Sequence, residues 1–514
     1  MKVKFSFLAF FAIITLLFTT MLLTGCDLFN DDDDNNGYET KTSVEPLLKT
    51  KWGQGTPYNS MYPVNGDGDH PPTNCVMTAV AQIMKYYNHP KQGSGQSEPF
   101  TYNGVAYPSV NLNVNYEWGN MLNTYTNSAT MQQRNAVATL MYHVRSGLRP
   151  GIDIHEAMTT YFGYDRSIQK LYRRYYNDTE WEAIIREQLD SNLPIAYSGN
   201  GSASHEFVID GYDNNGKFHI NWGWNGSNDG WYSLNALNPG NYDFNDNNDM
   251  FINIKPDKGG TPTPYEFALN SFTVSKTSVQ QNELFTVTSQ TRNLSTFDIF
   301  PGGQYGAALV DNNDKVVIVI GSTTASERRP QTNSATFTLN CYVPGLIQPK
   351  QYKLKMVARP VDGEWKIITR SAVRENVPNV INFTITAGSA ALEGGYGLGL
   401  MNFSSSITTI SKNEAFTVNY RFRNMGSEQF TGGESGAALV NDNGIIIAFA
   451  GTISAGSHSA GSNGSQRELN CKIPDEVSQG QYQLRIIVRT TGNEWRIATD
   501  SYQGSPTSID FTVQ

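Results

Sequence analysis

Residues 73–90, TNCVMTAVAQIMKYYNHP, place one cysteine, Cys75, at the beginning of a predicted helix. Apolar side chains follow it at the three- and four-residue spacing of an amphipathic helix: Val76, Ala79, Val80, Ile83, Met84 and Tyr87. Thr73 or Asn74 can cap the first turn. Since unpaired N–H groups and the positive end of the helix dipole favour negative charge, we expect Cys75 to be a reactive thiolate and not an inert buried thiol.

The first 26 residues, MKVKFSFLAFFAIITLLFTTMLLTGC, combine two lysines, a long apolar run and a small residue before Cys26. This order predicts an export signal. Its ending resembles a bacterial lipoprotein signal, in which the cysteine is acylated and becomes the first mature residue; an uncleaved membrane anchor is the alternative. Residues 27–45, with four consecutive aspartates, predict a solvated acidic tether. We therefore expect a lipid anchor in the bacterial outer membrane, with cell-surface display, or release outside the cell.

The second half of the chain contains a duplication. GGQYGAALVDNN, from Gly302, matches GGESGAALVNDN, from Gly432, and LNCYVP around Cys341 matches LNCKIP around Cys471 at a constant offset of 130 residues. Short alternating runs separated by Gly, Asn and Pro turns predict two immunoglobulin-like β-sandwich domains, residues 265–388 and 395–514. Neither repeat has a cluster with catalytic or metal-binding spacing. The chemistry is therefore assigned to residues 46–257.

Charge and cysteine spacing limit the partners of the protein. The formal net charge is −9, with no local basic cluster, which argues against a nucleic-acid partner. No histidine pair has metal-ligand spacing with a carboxylate, so we expect no metal and no other cofactor. Cys341 and Cys471 occupy equivalent positions of different domains, and we expect both to be reduced and buried.

The segment SASHEFVIDGYDNNGKFHINWGWNG, from Ser202, reads as a β-hairpin with its turn at 213–216. If Asn214 pairs with Lys217, then His205 lies opposite Gly226; a one-residue bulge places it opposite Asn225 instead. Either register puts the histidine beside the NWGW segment, where it can take a proton from a thiol. The register alone leaves open whether Asn221 or a neighbour orients the imidazole.

A third segment, WGQGTPYN from Trp52, places Gln54 between two glycines. A glutamine amide together with the N–H of the nucleophile can stabilise the oxyanion of an acyl-transfer reaction. As an isolated motif, this segment has low specificity.

Taken together and in this order, GQGTPYN, TNCVMTAVAQIMKYYNHP, SHEFVIDGY and HINWGWNG resemble the streptopain family of bacterial cysteine peptidases. The resemblance implies an α+β papain-like domain, and the two all-β domains predicted from the repeat follow it. It implies Cys75 as nucleophile, His205 as general base and acid, and Gln54 in the oxyanion hole, with Asn221 and Trp222 supporting the histidine.

Two positions beside these motifs depart from the family pattern. Asn74 replaces a glycine before the nucleophile and Glu206 replaces a small residue after the histidine, so both are expected to reshape the cleft. The glycine-rich loop near the end of the family's domain is replaced by GNYDFNDNNDM, from Gly240.

The leading functional hypothesis is a cell-surface or secreted cysteine endopeptidase that hydrolyses protein or peptide substrates. The alternatives are a non-catalytic adhesin or binding lipoprotein and another thiol acyl-transfer enzyme, such as an amidase. The tether is too short for a folded pro-domain, so control would come from a separate protein inhibitor, from redox state or from nothing. We accordingly expect protein that begins at Asp27 and protein that begins at Glu45 to have equal specific activity.

Overall fold

The structure, a computed structural model, describes residues 41–388, 392–411, 414–475 and 477–514. The predicted signal peptide with Cys26 and the tether up to residue 40 lie outside the described residues. None of the helices described is long and apolar enough to cross a membrane.

Four α-helices and a six-stranded sheet form the amino-terminal domain. The helices are α1 Cys75–Tyr87, α2 Met131–Gly147, α3 Ile154–Tyr161 and α4 Asp178–Asp190. The strands are β1 Phe100–Tyr102, β2 Val105–Tyr107, β3 Gln169–Tyr172, β4 Ile195–Asn200, β5 His205–Tyr212, β6 Phe218–Asn221, β7 Gly230–Tyr232 and β8 Asp246–Ile252. Strands β1 and β2 pair only with each other, and the six-stranded sheet has the order β3-β8-β4-β5-β6-β7, with every neighbouring pair antiparallel.

Helix α1 is buried on nearly all its faces and packs against β5. The single buried stripe predicted from the sequence is therefore wrong in extent: Val76 and Tyr87 are only half-buried, while Thr78, Ala81 and Gln82 are fully buried. A fully buried aliphatic side chain contributes about 1.5–3 kcal/mol. Cys75 therefore lies on a helix that the packing of the domain core holds in place.

The β5–β6 hairpin forms as predicted, but in a different register. Asp213, and not Asn214, faces Lys217 through a 2.9 Å backbone hydrogen bond. The register then shifts again between Ile209 and Gly211, so Val208 lies opposite Asn221. The turn and the bulge together shift the NWGW segment along the strand relative to His205. The alternating pattern of apolar and polar residues does not predict this shift.

The packed domain begins earlier than the predicted boundary at residue 46. Val44 is buried and exchanges two backbone hydrogen bonds, 2.8 and 2.9 Å, with Tyr212. The last residues assigned to the tether therefore belong to the sheet. A chain that starts at Glu45 would lose this contact, so the activity comparison across the tether should start its shorter form at Thr42.

Both repeats fold as two-sheet β-sandwiches. The first contains β9 Phe267–Val274, β10 Ser278–Gln280, β11 Leu284–Asn293, β12 Gly303–Val310, β13 Val316–Ala325, β14 Phe337–Tyr342, β15 Gln351–Pro360, β16 Lys366–Ile367, β17 Arg370–Ser371 and β18 Ile381–Thr386. One sheet has the order β10-β18-β15-β12-β13, with β16 on β15, and the other has the order β14-β11-β9-β17.

The second sandwich repeats this arrangement with small differences at its edges. Its strands are β19 Leu392–Glu393, β20 Leu398–Ser405, β21 Thr409–Ile410, β22 Ala415–Asn424, β23 Gly433–Val440, β24 Ile446–Ala455, β25 Arg467–Lys472, β26 Gly480–Thr490, β27 Arg496–Ile497 and β28 Ser508–Val513. The sheets are β19-β27-β26-β23-β24, with β28 on β26 and β21 on β28, and β20-β22-β25. Strand β19 lies before the predicted start of this domain at residue 395.

The repeat cysteines are free and buried, as predicted. Burial raises the pKa of the Cys341 and Cys471 thiols to about 12 in each case. Both therefore remain protonated at physiological pH and are poor nucleophiles. Among the three cysteines that the structure describes, only Cys75 is partly exposed.

The first sandwich contacts the amino-terminal domain through polar and aromatic groups. Tyr175 donates a 2.6 Å hydrogen bond to Asn270, and the backbone N–H of Lys170 donates to Thr296 at 3.0 Å. The Phe297 ring meets the His155 ring edge to face at 4.9 Å. Lys170 borders the cavity beside Asn74 and Val76, the two neighbours of Cys75, so the sandwich supports one wall of that cavity.

Candidate active site

Cys75 is the first residue of α1, and Asn74 is the N-cap. Asn74 has φ 80° and ψ 152°, a backbone conformation that is normally reserved for glycine. Its side-chain oxygen accepts hydrogen bonds from the Val76 N–H at 3.1 Å and from the Cys75 thiol at 3.3 Å. The asparagine thus adopts a glycine-type backbone conformation and also caps the helix.

His205 is the first residue of β5, and its ring is held from one side by a backbone carbonyl. The distance from His205 Nε2 to the Trp222 carbonyl oxygen is 2.9 Å. Because a carbonyl oxygen can only accept, Nε2 carries the proton and Nδ1 is left as the basic nitrogen. The rings of Trp224 and Phe244, at 4.8 and 5.2 Å, shield the imidazole from water.

The thiol and the histidine meet at the amino end of β5. The backbone N–H of Glu206, the residue after His205, hydrogen-bonds the Cys75 sulfur. The thiol proton is directed to Asn74, and the sulfur and the imidazole form no hydrogen bond with each other in this structure. Hydrogen bonds of this kind commonly shorten only when substrate is bound.

Burial decides the resting protonation of both groups. It raises the pKa of the Cys75 thiol above the ordinary 9.0, although the N–H groups of Glu206, Val76 and Cys75 itself act in the opposite direction. Burial also lowers the pKa of His205 below 6.5, opposed by its bond to Trp222. The prediction of a resting thiolate is therefore not supported: burial outweighs the helix amino end, and the pair rests as thiol and neutral imidazole.

Gln54 lies next to the two residues that precede Cys75. It lines a cavity of about 390 Å³ together with Thr73 and Asn74. Its carbonyl accepts a 2.9 Å hydrogen bond from the Thr73 N–H, which fixes the Gln54 loop to the residues immediately before Cys75. This position is compatible with an oxyanion-stabilising amide.

Asn221 does not use its side chain to hold the imidazole. Its amide donates to the Thr50 carbonyl at 2.8 Å and accepts from Gln82 at 2.9 Å and from the Gly223 N–H at 3.1 Å. Gln82 in turn accepts from the Trp52 N–H at 3.2 Å. Asn221 is therefore a positioning residue that joins the hairpin to α1, and the carbonyl of Trp222 takes the role expected of Asn221.

Sequence reasoning missed three residues of this site. Gln82 lies seven positions after Cys75 in a helix that is otherwise largely apolar, which is a signal for a buried hydrogen-bonding role. Asp229 accepts the Trp222 N–H at 2.9 Å and so fixes the peptide that holds His205. Phe244 comes from the segment near Gly240 and has no local signal, because only the sheet register brings it to His205.

Gly223 allows the chain to turn between the two tryptophans. Its φ is +71°, and a Cβ atom there would lie 3.1 Å from the Thr78 side chain on α1. Both constraints favour glycine.

Within the described part of the chain, no group of three or more His, Cys, Asp or Glu side chains is placed to hold a metal ion.

A cysteine at the amino end of a buried helix, packed against a sheet whose histidine is fixed by backbone, defines a papain-like thiol hydrolase. Residues 52–232 match the model of the Peptidase C10 family. This region therefore belongs to the streptopain family of cysteine peptidases.

Individual proteins are also similar to parts of this chain. Streptopain of Streptococcus pyogenes is 34% identical over 251 residues, which cover 41% of this chain and 63% of that protein. The chain thus spans less than two thirds of the length of this curated relative. The thiol protease/hemagglutinin PrtT of Porphyromonas gingivalis is 32% identical over 221 residues, covering 39% of this chain and 25% of that protein. The structure of interpain A cysteine protease from Prevotella intermedia is 36% identical, with a TM-score of 0.38, over 41% of this chain and 94% of that one.

The protonation of His205 predicts the acidic limb of the pH–rate profile. Only the neutral imidazole can accept the thiol proton, and burial lowers its pKa below 6.5. Activity should therefore persist as the pH falls below 6.5 and disappear at a lower midpoint. The measurement is kcat/KM against pH, which reports the free enzyme. An acidic midpoint at or above pH 6.5 would contradict the burial argument.

Because Asn221 belongs to a buried hydrogen-bond network, we expect its replacement by alanine to reduce stability more than it reduces catalytic activity. Asn221→Ala leaves the Gln82 amide N–H and the Thr50 carbonyl without these partners, which should cost about 1–3 kcal/mol of unfolding free energy. Urea denaturation measures this cost, with Asn215→Ala in the exposed hairpin turn as the matched control. Activity below the melting transition should fall but remain measurable. Unchanged stability with complete loss of activity would instead place Asn221 on the reacting groups.

Proposed function

We propose that the protein is an endopeptidase exported by a bacterium, acting on protein or peptide substrates through Cys75 and His205. The observation that carries the proposal is the Trp222 carbonyl bond, because it leaves Nδ1 of His205 as the basic nitrogen at the strand end where the Cys75 sulfur lies. Membership of its amino-terminal region in a cysteine peptidase family supports the same conclusion.

The proposed reaction begins with transfer of the thiol proton to His205 Nδ1. The thiolate then attacks the peptide carbonyl, and the oxyanion is stabilised by the Cys75 N–H and the Gln54 amide. The imidazolium gives its proton to the leaving amine, which departs. Water, deprotonated by the same imidazole, then hydrolyses the thioester and restores the free thiol.

We also propose that the chain is lipid-anchored at Cys26 and displayed at the cell surface or released. The support is the sequence LTGC at residues 23–26 followed by an acidic tether. Fatty-acid labelling of cells that express the wild type and the Cys26→Ala variant tests the anchor, since label that persists in the variant would contradict it.

The nucleophile is tested with casein as substrate. Cleavage should be blocked by E-64-type thiol reagents and should fall to the detection limit in Cys75→Ala, because the removed sulfur forms the covalent intermediate. The matched control is Cys471→Ala, which removes a buried thiol from the second sandwich. Casein cleavage that survives Cys75→Ala in a folded protein would remove the assignment.

A further inference from the structure

A second cavity lies beside Cys75, on the face of the sheet opposite the His205 ring. It has a volume of about 350 Å³ and is bordered by Asn74, Val76 and Met77 from the start of α1 and by Glu206 from β5. A space of this size can hold a long side chain. Since it opens next to the nucleophile, a substrate residue close to the scissile bond would occupy it.

Strand register places two acids in one row along this cavity. Ser198 on β4 lies opposite both Glu206 on β5 and Asp249 on β8, so all three side chains share one face. Asp153, at the start of α3, borders the same cavity. Three carboxyl groups therefore meet in one partly enclosed space.

One amine compensates two of these carboxyl groups. Lys170 Nζ is 3.2 Å from the Asp153 carboxylate and 3.8 Å from the Asp249 carboxylate. Glu206 remains without an ionic partner. Its residue is only 7% exposed and its Oε1 atom has no hydrogen-bond partner, while Ser198 supplies a bond to the carboxyl group. A buried oxygen without a hydrogen-bond donor destabilises the protein, and a ligand that donates to this oxygen would remove the penalty.

Two arginines border the same cavity, and their contacts show why they are not the recognition groups. The Arg145 guanidinium lies 4.1 Å from the centre of the Tyr102 ring and hydrogen-bonds Tyr107. Arg149 donates to the Tyr161 hydroxyl at 3.3 Å. Aromatic rings and phenols therefore hold both cations, although one Arg145 nitrogen, Nη2, has no hydrogen-bond partner.

We propose that this cavity binds a lysine or arginine side chain of the substrate and that Glu206 is the residue that recognises it. This inference rests on the proposed peptidase function. A substrate ammonium or guanidinium would donate to Glu206 Oε1, which has no donor within the protein. Burial and the neighbouring Asp249 raise the pKa of Glu206, and a bound substrate cation would act in the opposite direction.

Glu206 also connects recognition to the reaction. Its negative charge would raise the pKa of the Cys75 thiol, whereas its backbone N–H lowers it. A bound substrate cation would cancel the unfavourable charge and leave the favourable N–H in place. A basic residue in the cavity should therefore increase kcat as well as binding.

The test uses quenched fluorescent peptides with Lys, Arg, norleucine or Glu at each of the three positions before the scissile bond. At one position the wild type should prefer Lys and Arg over norleucine by at least about tenfold in kcat/KM. Glu206→Gln should abolish this preference, so that the Lys, Arg and norleucine peptides are cleaved with similar kcat/KM. The matched control is Glu156→Gln, an equal charge change on the exposed face of α3.

Other outcomes overturn the inference. A wild-type preference for norleucine, or for Glu through the arginines, would exclude a basic side chain. An equal loss for all peptides in Glu206→Gln would mean that Glu206 acts on Cys75 and His205 and not on the substrate.

A binding measurement separates this inference from the proposed function. Calorimetry on Cys75→Ala should show tighter binding of the Lys peptide than of the norleucine peptide, and the difference should vanish in the double variant with Glu206→Gln. This result would hold even if the wild type cleaved no peptide, which would refute only the peptidase function. Equal binding of the two peptides would refute the inference.

Discussion

The hydrogen bond from His205 Nε2 to the Trp222 carbonyl is the interaction on which the site depends. It sets the tautomer of the imidazole, and so decides which nitrogen can take the thiol proton. A backbone carbonyl achieves this without an ionisable partner, and Asp229 holds the same peptide through the Trp222 N–H. The aromatic rings around the imidazole remove water and lower its pKa, which keeps it neutral and able to accept a proton.

A buried amide pair joins the segments that carry the chemistry. Gln82 on α1 connects the Trp52 N–H, two residues before Gln54, to Asn221 at the end of β6. The loop with the oxyanion group, the helix with the nucleophile and the hairpin that holds the histidine are thereby fixed to one another. Such networks are costly when incomplete, so they specify one arrangement of the segments. The first sandwich supports the opposite wall of the cleft through Lys170.

The sequence predicts the elements of the site well and their contacts less well. Helical periodicity, the N-cap and the Asn-rich turn locate α1 and the β5–β6 hairpin, since these signals are local. The role expected of Asn221 falls to the Trp222 carbonyl, because a changed turn and a bulge alter the register. The sequence also predicts a lowered pKa for the Cys75 thiol, whereas the structure indicates a raised one. The helix amino end, which lowers the pKa, can be recognised in the sequence, but the burial that raises it cannot. Internal repetition predicts both sandwiches, whereas their contacts with the first domain depend on non-local packing.

The most direct test of this account is the tautomer of His205, measured by ¹⁵N NMR of histidine-labelled protein above the pKa of its imidazole. His205→Ala identifies the signal by its loss. The Trp222 carbonyl bond predicts a neutral ring with the proton on Nε2 and none on Nδ1. A neutral ring protonated on Nδ1 would contradict the account, because that nitrogen could not then accept the proton of Cys75.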